Sequence, residues 1–318
     1  MPKLFATMLL TAAFLAGCSA APAALTGSSG QDLPVVTLAI QPTESADVIT
    51  AKAPALEAFL EARMAAHGTP ADVRVYVPTA YISVVDALRF GHADAAMMSA
   101  WPMALASAKA GADVVLAEQR EVMHGEAAVT APHYFSYYVV RADSPHTTLE
   151  DLRGKSVAFP SRSSTSGYIF PVAKLVQEGL VPAPAKGEAD PRQFFGEVRI
   201  AGGYAQAWEA LRSGQVDVAV TAGDINAQLF QEVLAGTRVI ATQGPVPSHG
   251  VVFADGFAAT PEGEALRLAM LDLKGEHRDL MRSLVSGIFV EFAPATETHI
   301  AGLSDALRLT GVKLTESA

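Results

Sequence analysis

Cysteine is almost absent from the sequence, since Cys18 is the only one among 318 residues. A lone thiol excludes an internal disulfide and argues against a cysteine-based metal site. After the first residues, no apolar run is long enough to span a bilayer. Lysine and arginine are also scarce, and the net charge of -10 argues against nucleic-acid binding. It does not exclude an anion site, because backbone N–H groups and hydroxyls can hold an anion without lysines.

The first residues predict export. Lys3 precedes a short apolar run at 4–16, which ends in the lipoprotein-type cleavage box Leu15-Ala16-Gly17-Cys18. We therefore expect a signal peptide at 1–17, a lipid on Cys18, and a flexible tether at 18–34 that is rich in Ala, Ser, Gly and Pro. The alternative is an ordinary signal peptide with a stray cysteine. The cleavage box and the missing disulfide partner favour a lipid-anchored protein in the periplasm or on the outer face of the cell membrane.

Strand-like and helix-like patterns alternate along the rest of the chain. The predicted strands are 35–40, 73–77, 93–98, 156–159, 198–201 and 216–221, and the predicted helices are 81–90, 103–110, 168–179 and 204–213. Short strands separated by helices predict βαβ units, and hence an α/β fold with mostly parallel sheets. Such sheets bind ligands beyond the carboxyl ends of their strands.

One segment of the sequence occurs twice. Residues 81–97 align without gaps on residues 204–220, and both copies read tyrosine, helix, Ala-Leu-Arg-x-Gly and then an aspartate before a strand. The glycine favours a left-handed helix end. The repeat predicts two similar lobes, with Tyr81 and Tyr204 facing each other across a cleft. The alternative, a chance recurrence of a good helix ending, explains neither the matched tyrosines nor the matched aspartates.

Hydroxyl side chains are concentrated between a predicted strand and a predicted helix. Ser163, Ser164, Thr165 and Ser166 are consecutive, and Gly167 follows at the start of the helix. Their hydroxyls, the exposed N–H groups and the helix dipole can all act on one oxyanion. The alternative is a polar loop with one capping serine, but capping requires a single hydroxyl rather than four.

This hydroxyl run, Asp151-Leu152-Arg153-Gly154-Lys155-Ser156 before it, and Tyr134-Phe135-Ser136-Tyr137-Tyr138 further upstream resemble the phosphate/phosphite/phosphonate-binding proteins of ABC importers. The resemblance extends from about residue 35 past residue 251. It implies a two-lobed type II periplasmic binding protein that closes at a hinge. Lobe 1 would span 35–140, lobe 2 would span 141–244, and 245–318 would return to lobe 1 and add C-terminal helices.

The resemblance also implies ligand-binding residues. Ser164, Thr165 and Ser166, with Ser163 beside them, match the cluster that grips the phosphorus-bound oxygens, while Tyr81 and Tyr134 match tyrosines that reach the cleft. Asp224 matches an acidic site residue that accepts a hydrogen bond from P–OH and repels fully ionised anions. Its alternative role is only to N-cap a helix at 225–235. Ser99, at a helix start, is a further candidate through its hydroxyl or N–H.

Two residues depart from the family pattern. Tyr204 follows Gly202-Gly203 where many phosphonate binders carry a histidine, and a phenol stays neutral near pH 7. His249 stands where phosphonate-specific relatives tend to carry an acid suited to an amino group. The departures favour phosphite, phosphate or a simple alkylphosphonate over an aminoalkylphosphonate.

The expected function is therefore that of a substrate-binding lipoprotein. A monomer would close on its ligand, deliver it to the permease subunits of an ABC importer, and need no cofactor or metal. One alternative is a sensor that couples the same cleft to a membrane kinase. An enzyme on the same fold is the other alternative, although there is no Gly-x-Ser-x-Gly elbow and no base adjacent to the serines.

Overall fold

The computed structural model describes residues 33–42, 46–80, 82–124 and 127–314. The predicted signal peptide, Cys18 and Tyr81 lie outside the described residues, as does most of the predicted tether. Within the described part of the chain, no helix combines the length and the apolar character that crossing a membrane requires.

Strands and helices alternate over much of the described chain, as the sequence pattern predicts. The strands are β1 (Val35–Ile40), β2 (Asp72–Tyr76), β3 (Ala95–Met98), β4 (Asp113–His124), β5 (Ala127–Ala131), β6 (His133–Arg141), β7 (Ser156–Phe159), β8 (Glu197–Ile200), β9 (Val218–Ala222), β10 (Thr237–Pro247), β11 (Gly250–Phe253) and β12 (Phe289–Pro294). The helices are α1 (Ala46–Ala66), α2 (Ser83–Arg89), α3 (Ala100–Ala110), α4 (Phe170–Gln177), α5 (Tyr204–Arg212), α6 (Ala227–Gly236), α7 (Pro261–Leu271), α8 (Arg278–Leu284) and α9 (Leu303–Thr310). The predicted α/β class is confirmed.

The strands form two sheets. The larger sheet has the order β12-β4-β11-β3-β1-β2, with β5 paired to β4, and the smaller sheet has the order β10-β6-β9-β7-β8. Parallel pairing is limited to β1 with β2 and β3, and to β7 with β8 and β9. The sheets are therefore mixed rather than mostly parallel. Apart from β4 with β5, the antiparallel pairs join strands that are not consecutive in the chain, such as β6 with β10 and β4 with β12, so the local βαβ pattern did not reveal them.

The chain changes sheet twice, and the two crossings are hydrogen-bonded to each other. It leaves the larger sheet between β5 and β6 and returns between β10 and β11. At the return, the Ser248 N–H donates to the Pro132 carbonyl at 3.0 Å. The strands after the return, β11 and β12, again belong to the larger sheet. The boundaries of the lobes at residues 140 and 244 stay a prediction.

The internal repeat is confirmed in the backbone. Gly91 and Gly214 end the two helices with φ of 69° and 75°, in the left-handed region that favours glycine. The matched aspartates also make the same kind of hydrogen bond, each to a backbone N–H of a neighbouring strand. Asp94 Oδ2 accepts a hydrogen bond from the Thr37 N–H at 2.8 Å, and Asp217 Oδ2 accepts one from the Ser156 N–H at 3.0 Å.

Each sheet has its own buried core. Leu38, Leu56 and Phe253 are fully buried around the larger sheet, whereas Tyr138 and Phe159 are fully buried around the smaller one. Because each core holds its strands rigidly, the loops at the strand ends are presented in fixed positions.

Candidate functional site

The hydroxyl run forms the start of a helix. Residues Thr165–Ile169 make one π-helical turn that continues into α4, and Ser164 caps it by accepting the Gly167 N–H at 2.9 Å. A Cβ at Gly167 would lie 2.4 Å from Pro160 Cγ, so only glycine fits there. One serine thus serves as the cap. The first N–H groups of the helix have no acceptor within the helix itself, and this end carries the positive pole of its dipole.

A small buried cavity lies beside this helix start and collects most of the predicted site residues. Its volume is about 10 Å³, and its walls are Ser99, Ser164, Ser166, Tyr204, Asp224, Ile225 and His249. That volume is close to the space of one water molecule. A phosphorus oxyanion therefore enters only if the hydroxyls turn outward or the two sheets move apart.

The hydroxyls around this cavity are hydrogen-bonded to one another. Ser166 Oγ lies 2.9 Å from Tyr134 Oη and 2.8 Å from Tyr204 Oη. Ser164 Oγ lies 3.3 Å from Tyr204 Oη. Because a hydroxyl can turn from one partner to another, the same groups can donate to a ligand at little cost.

Four predicted residues are not among the cavity walls. Tyr134 Oη is hydrogen-bonded to the wall residue Ser166 at 2.9 Å. Thr165 Oγ1 accepts the Trp101 N–H at 2.9 Å and lies 3.4 Å from Ser99 Oγ, so it joins the start of α3 to the helix start of the smaller sheet. Ser163 Oγ lies 3.0 Å from Ser161 Oγ. Tyr81 lies outside the described residues. The direct ligand contacts expected of these four residues stay predictions.

Asp224 is a buried acid that follows β9. Its Oδ2 lies 3.3 Å from Arg120 Nη1 and 3.3 Å from His249 Nε2. Its Oδ1 has no hydrogen-bond partner among the described residues. The alternative role of Asp224 as a helix cap is wrong, because Asn226 caps α6 by accepting two backbone N–H groups. One oxygen of the Asp224 carboxyl is therefore left to accept a hydrogen bond.

Glu118 and Arg120 are site residues that the sequence reasoning missed. Both are completely buried, and Glu118 Oε2 accepts from Arg120 Nε at 2.9 Å and from Nη2 at 2.6 Å. The guanidinium also lies 4.6 Å from the centre of the Tyr134 ring. Their spacing of two residues puts both charges on one face of β4, but the strand also carries Asp113, Gln119 and Glu121, so no local signal marked the pair.

The charge state of this cluster is set by burial and by Arg120. Burial raises the pKa of Asp224 and of Glu118, and the nearby guanidinium opposes both shifts. Burial works against the charge of Arg120, but the two carboxyl groups outweigh it and hold its pKa above the usual value. Burial, helped by Arg120, lowers the pKa of His249 well below 6.5. The imidazole is therefore neutral at pH 7, and Arg120 is the cation of the cluster.

A larger cavity of about 570 Å³ adjoins the small one and shares Tyr204 and Ile225 with it. Its other walls come from Pro42, which follows β1, from residues 202–206, and from the start of α6. Elements of both sheets thus line a chamber that leads to the buried hydroxyls. Within the described ranges, no group of three or more His, Cys, Asp and Glu side chains is arranged to hold a metal ion.

Comparison with known proteins gives a family match and a similar curated protein. Residues 38–300 match the profile of a family described as the periplasmic substrate-binding protein of a phosphonate ABC transporter. The chain is 30% identical over 183 residues to the phosphate-import protein PhnD of Mycolicibacterium smegmatis (strain ATCC 700084 / mc(2)155), an alignment that covers 57% of this chain and 53% of that protein. The matched region thus spans about half the length of this curated relative.

Two solved structures share the fold. A binding protein component of an ABC phosphonate transporter from Pseudomonas aeruginosa superposes with a TM-score of 0.69 at 17% identity, covering 86% of both chains. PhnD1 from Prochlorococcus marinus (MIT 9301), in complex with methylphosphonate, superposes with a TM-score of 0.67 at 15% identity, covering 86% of this chain and 97% of that one. The two-lobed fold that the sequence predicts is confirmed by these likenesses. The chain belongs to the family of periplasmic substrate-binding proteins of phosphonate ABC transporters.

Proposed function

We propose that the chain captures a small phosphorus oxyanion, such as phosphite, phosphate or an alkylphosphonate, and delivers it to the transmembrane subunits of an ABC permease. The observation that carries this proposal is the convergence of Ser166, Tyr204 and Asp224 on one buried cavity at a helix N-terminus. The hydroxyls of Ser166 and Tyr204 can donate to the oxygens of an anion, and Asp224 can accept from a P–OH group, so the cavity suits an anion that still carries a proton. Sulfate, which carries none at neutral pH, would be repelled by Asp224.

The names of two similar proteins support the ligand class. The M. smegmatis relative is described as a phosphate-import protein, and the P. marinus structure contains methylphosphonate. Among phosphonates we expect simple alkyl groups to be preferred, because His249 is neutral and therefore offers no charge to an ammonium group.

Ligand capture would proceed by hinge closure. The small cavity is water-sized and buried, so the ligand must arrive while the lobes are apart and then bridge them. The larger cavity, with walls from both sheets, is the proposed route of entry. We assign the lobes to 35–140 and 141–244, with a return at 245–318. The protein would act as an exported monomer that is anchored through a lipid on Cys18, and it would not act as an enzyme.

Calorimetry of the detergent-solubilised full chain tests this proposal. Phosphate, phosphite, methylphosphonate, 2-aminoethylphosphonate and sulfate would be titrated separately at pH 7. We expect saturable binding of at least one of the first three ligands, at least 100-fold tighter than the binding of sulfate, which corresponds to about 2.7 kcal/mol. Tightest binding of 2-aminoethylphosphonate would contradict the ligand preference. Absence of binding for all the phosphorus compounds would contradict the function itself.

A further inference from the structure

A buried ion pair of one sheet meets the acid of the other sheet. Glu118 and Arg120 belong to β4 of the larger sheet, whereas Asp224 follows β9 of the smaller sheet. The guanidinium is fully buried, and its Nη1 lies 3.3 Å from Asp224 Oδ2. Exposed ion pairs contribute little to stability, but a charge buried this deeply strongly influences its neighbours.

We propose that Arg120 determines specificity through Asp224: it keeps the Asp224 carboxyl ionised in the free protein, so that the cavity accepts oxyanions that carry a proton and rejects those that do not. This inference rests on the proposed function, and it adds a residue that lies behind the cavity wall rather than in it. Arg120 is not among the walls of the small cavity. It is a positioning residue, and it acts on the ligand only through the acid.

The two carboxyl oxygens of Asp224 have different surroundings. Oδ2 faces Arg120 Nη1 and His249 Nε2, both at 3.3 Å, while Oδ1 has no partner among the described residues. An ionised Oδ1 can only accept, so the ligand must supply the proton through a P–OH group. A protonated carboxyl could instead donate, and it would then admit a fully ionised anion.

Arg120 is the group that can hold Asp224 ionised. A buried carboxyl without a nearby cation takes up a proton, because burial penalises the charged form. Arginine does not lose its own proton in proteins, so it provides a fixed charge at every accessible pH. Glu118 orients it, since it takes the Nε and Nη2 hydrogens and leaves Nη1 for Asp224.

The other titratable groups around Asp224 offer no second cation among the described residues. Tyr134 on β6 and Tyr204 on α5 are neutral phenols, and burial raises the pKa of Tyr134 well above 10. His249 is neutral at pH 7, and burial also lowers the pKa of His299, which lies behind it. Glu118 is an acid and therefore opposes the ionisation of Asp224.

A pH dependence follows from this arrangement. Binding that needs an ionised Asp224 is present above the pKa of that carboxyl and is lost as the pH falls through it. Removing Arg120 raises that pKa, so the acid-side loss of phosphate binding moves to higher pH. Each pKa unit of the shift corresponds to a tenfold change in the ratio of the two forms. On the alkaline side, affinity for phosphite falls in the wild type as the ligand loses its last P–OH proton near neutral pH, whereas the phosphate dianion keeps one.

The test compares phosphate with sulfate in matched variants. The double variant Glu118→Gln plus Arg120→Met removes both charges of the pair together and so avoids leaving a lone buried charge. Tyr138→Phe is the control, because it changes a fully buried side chain that packs against Phe159 and Phe195 and whose hydroxyl has no partner among the described residues. We expect the phosphate-to-sulfate preference at pH 7 to fall at least tenfold in the double variant and to stay within about threefold in the control. In an Asp224→Asn background, the same double change should have no effect on the preference.

A preference that is unchanged in a folded double variant would overturn the inference, as would an equal loss in the Asp224→Asn background.

A second measurement needs only the wild-type chain. Calorimetry of phosphite binding at pH 8 in buffers of different ionisation enthalpy should show uptake of about one proton, because the phosphite dianion in solution has no P–OH group and must bind as the monoanion. Binding without proton uptake would mean that Asp224 already holds the proton, and would overturn the inference while leaving oxyanion capture intact. A wild-type chain that binds no oxyanion would overturn both.

Discussion

At the scale of single residues, the site holds its hydroxyl donors ready by pairing them with one another. Tyr204 Oη lies within 2.8 Å of Ser166 Oγ and 3.3 Å of Ser164 Oγ, at the wall of the small cavity. The donors are therefore oriented before a ligand arrives, and less conformational entropy is lost on binding. Tyr204 is the most direct single residue on which to test this arrangement.

Tyr204→Phe removes one donor without changing the shape of the side chain. We expect phosphate to bind at least tenfold more weakly, because the oxyanion loses a hydrogen bond in a buried site. The free energy of unfolding should fall by only about 1 kcal/mol, since Ser166 keeps its bond to Tyr134. Calorimetry and urea denaturation measure the two effects.

Tyr138→Phe, in a strand of the smaller sheet, is the matched control. Tyr138 is fully buried in β6, but its hydroxyl has no hydrogen-bond partner among the described residues. Its removal should leave phosphate affinity unchanged and stability unchanged or slightly higher, because a buried unsatisfied hydroxyl is itself unfavourable. Equal losses of affinity in Tyr138→Phe and Tyr204→Phe would indicate a general loss of structure and not a loss of ligand contact.

Individual site residues differed in how well the sequence revealed them. Ser166 and Asp224 stand out because a local pattern marks each of them, a run of hydroxyls and a polar residue after an apolar strand. Glu118 and Arg120 lie in a strand far along the chain from Asp224, and only the folded sheets bring them together. No local pattern distinguishes a buried ion pair in a strand from two charges on an exposed face, so this part of the site required the structure.

At the scale of secondary-structure elements, the aspartates of the internal repeat join neighbouring strands through hydrogen bonds. In each sheet an aspartate at the start of one strand accepts the backbone N–H of the parallel strand beside it. Asp217 Oδ2 also accepts from the Ser156 hydroxyl at 2.7 Å. The repeated aspartates thereby hold β1 beside β3 and β7 beside β9.

Asp94→Ala and Asp217→Ala should each lower the free energy of unfolding by about 1 to 3 kcal/mol, because each leaves a partly buried strand N–H without its acceptor. The loss should be larger for Asp217, which has two partners at Ser156. Urea denaturation provides the measurement. Asp305→Ala is the control, since its exposed pair with Arg308 should contribute less than about 0.5 kcal/mol. Equal stability of Asp217→Ala and the wild type would remove the proposed role of the repeat.

The positions of elements were easier to predict than their pairing. Periodicity located β1, β7 and α5 to within a few residues, because each follows a local apolar pattern. The antiparallel pairs of β4, β6 and β10 depend on contacts between distant segments, and no local pattern encodes them. The cap of α6 was misplaced by two residues, because Asp224 and Asn226 are equally good capping residues and only the backbone path decides between them.

At the scale of the whole molecule, the candidate site is where the two sheets touch. The Trp101 N–H contacts Thr165 Oγ1, and Arg120 contacts Asp224, so two polar links join opposite sides. Only a cavity of about 10 Å³ separates the two sides at this point. A ligand would replace the mutual bonds of Ser164, Ser166 and Tyr204 and thereby add to these links, which is how binding would favour the closed form.

The central claim is that a phosphorus oxyanion binds between Ser166, Tyr204 and Asp224. A crystal structure of the full chain grown with phosphite tests it most directly. The account predicts one phosphite within hydrogen-bonding distance of Ser166 Oγ, Tyr204 Oη and Asp224 Oδ1, in a cavity enlarged from the present volume of about 10 Å³. Phosphite bound only in the 570 Å³ chamber, or on a surface remote from Asp224, would contradict the account.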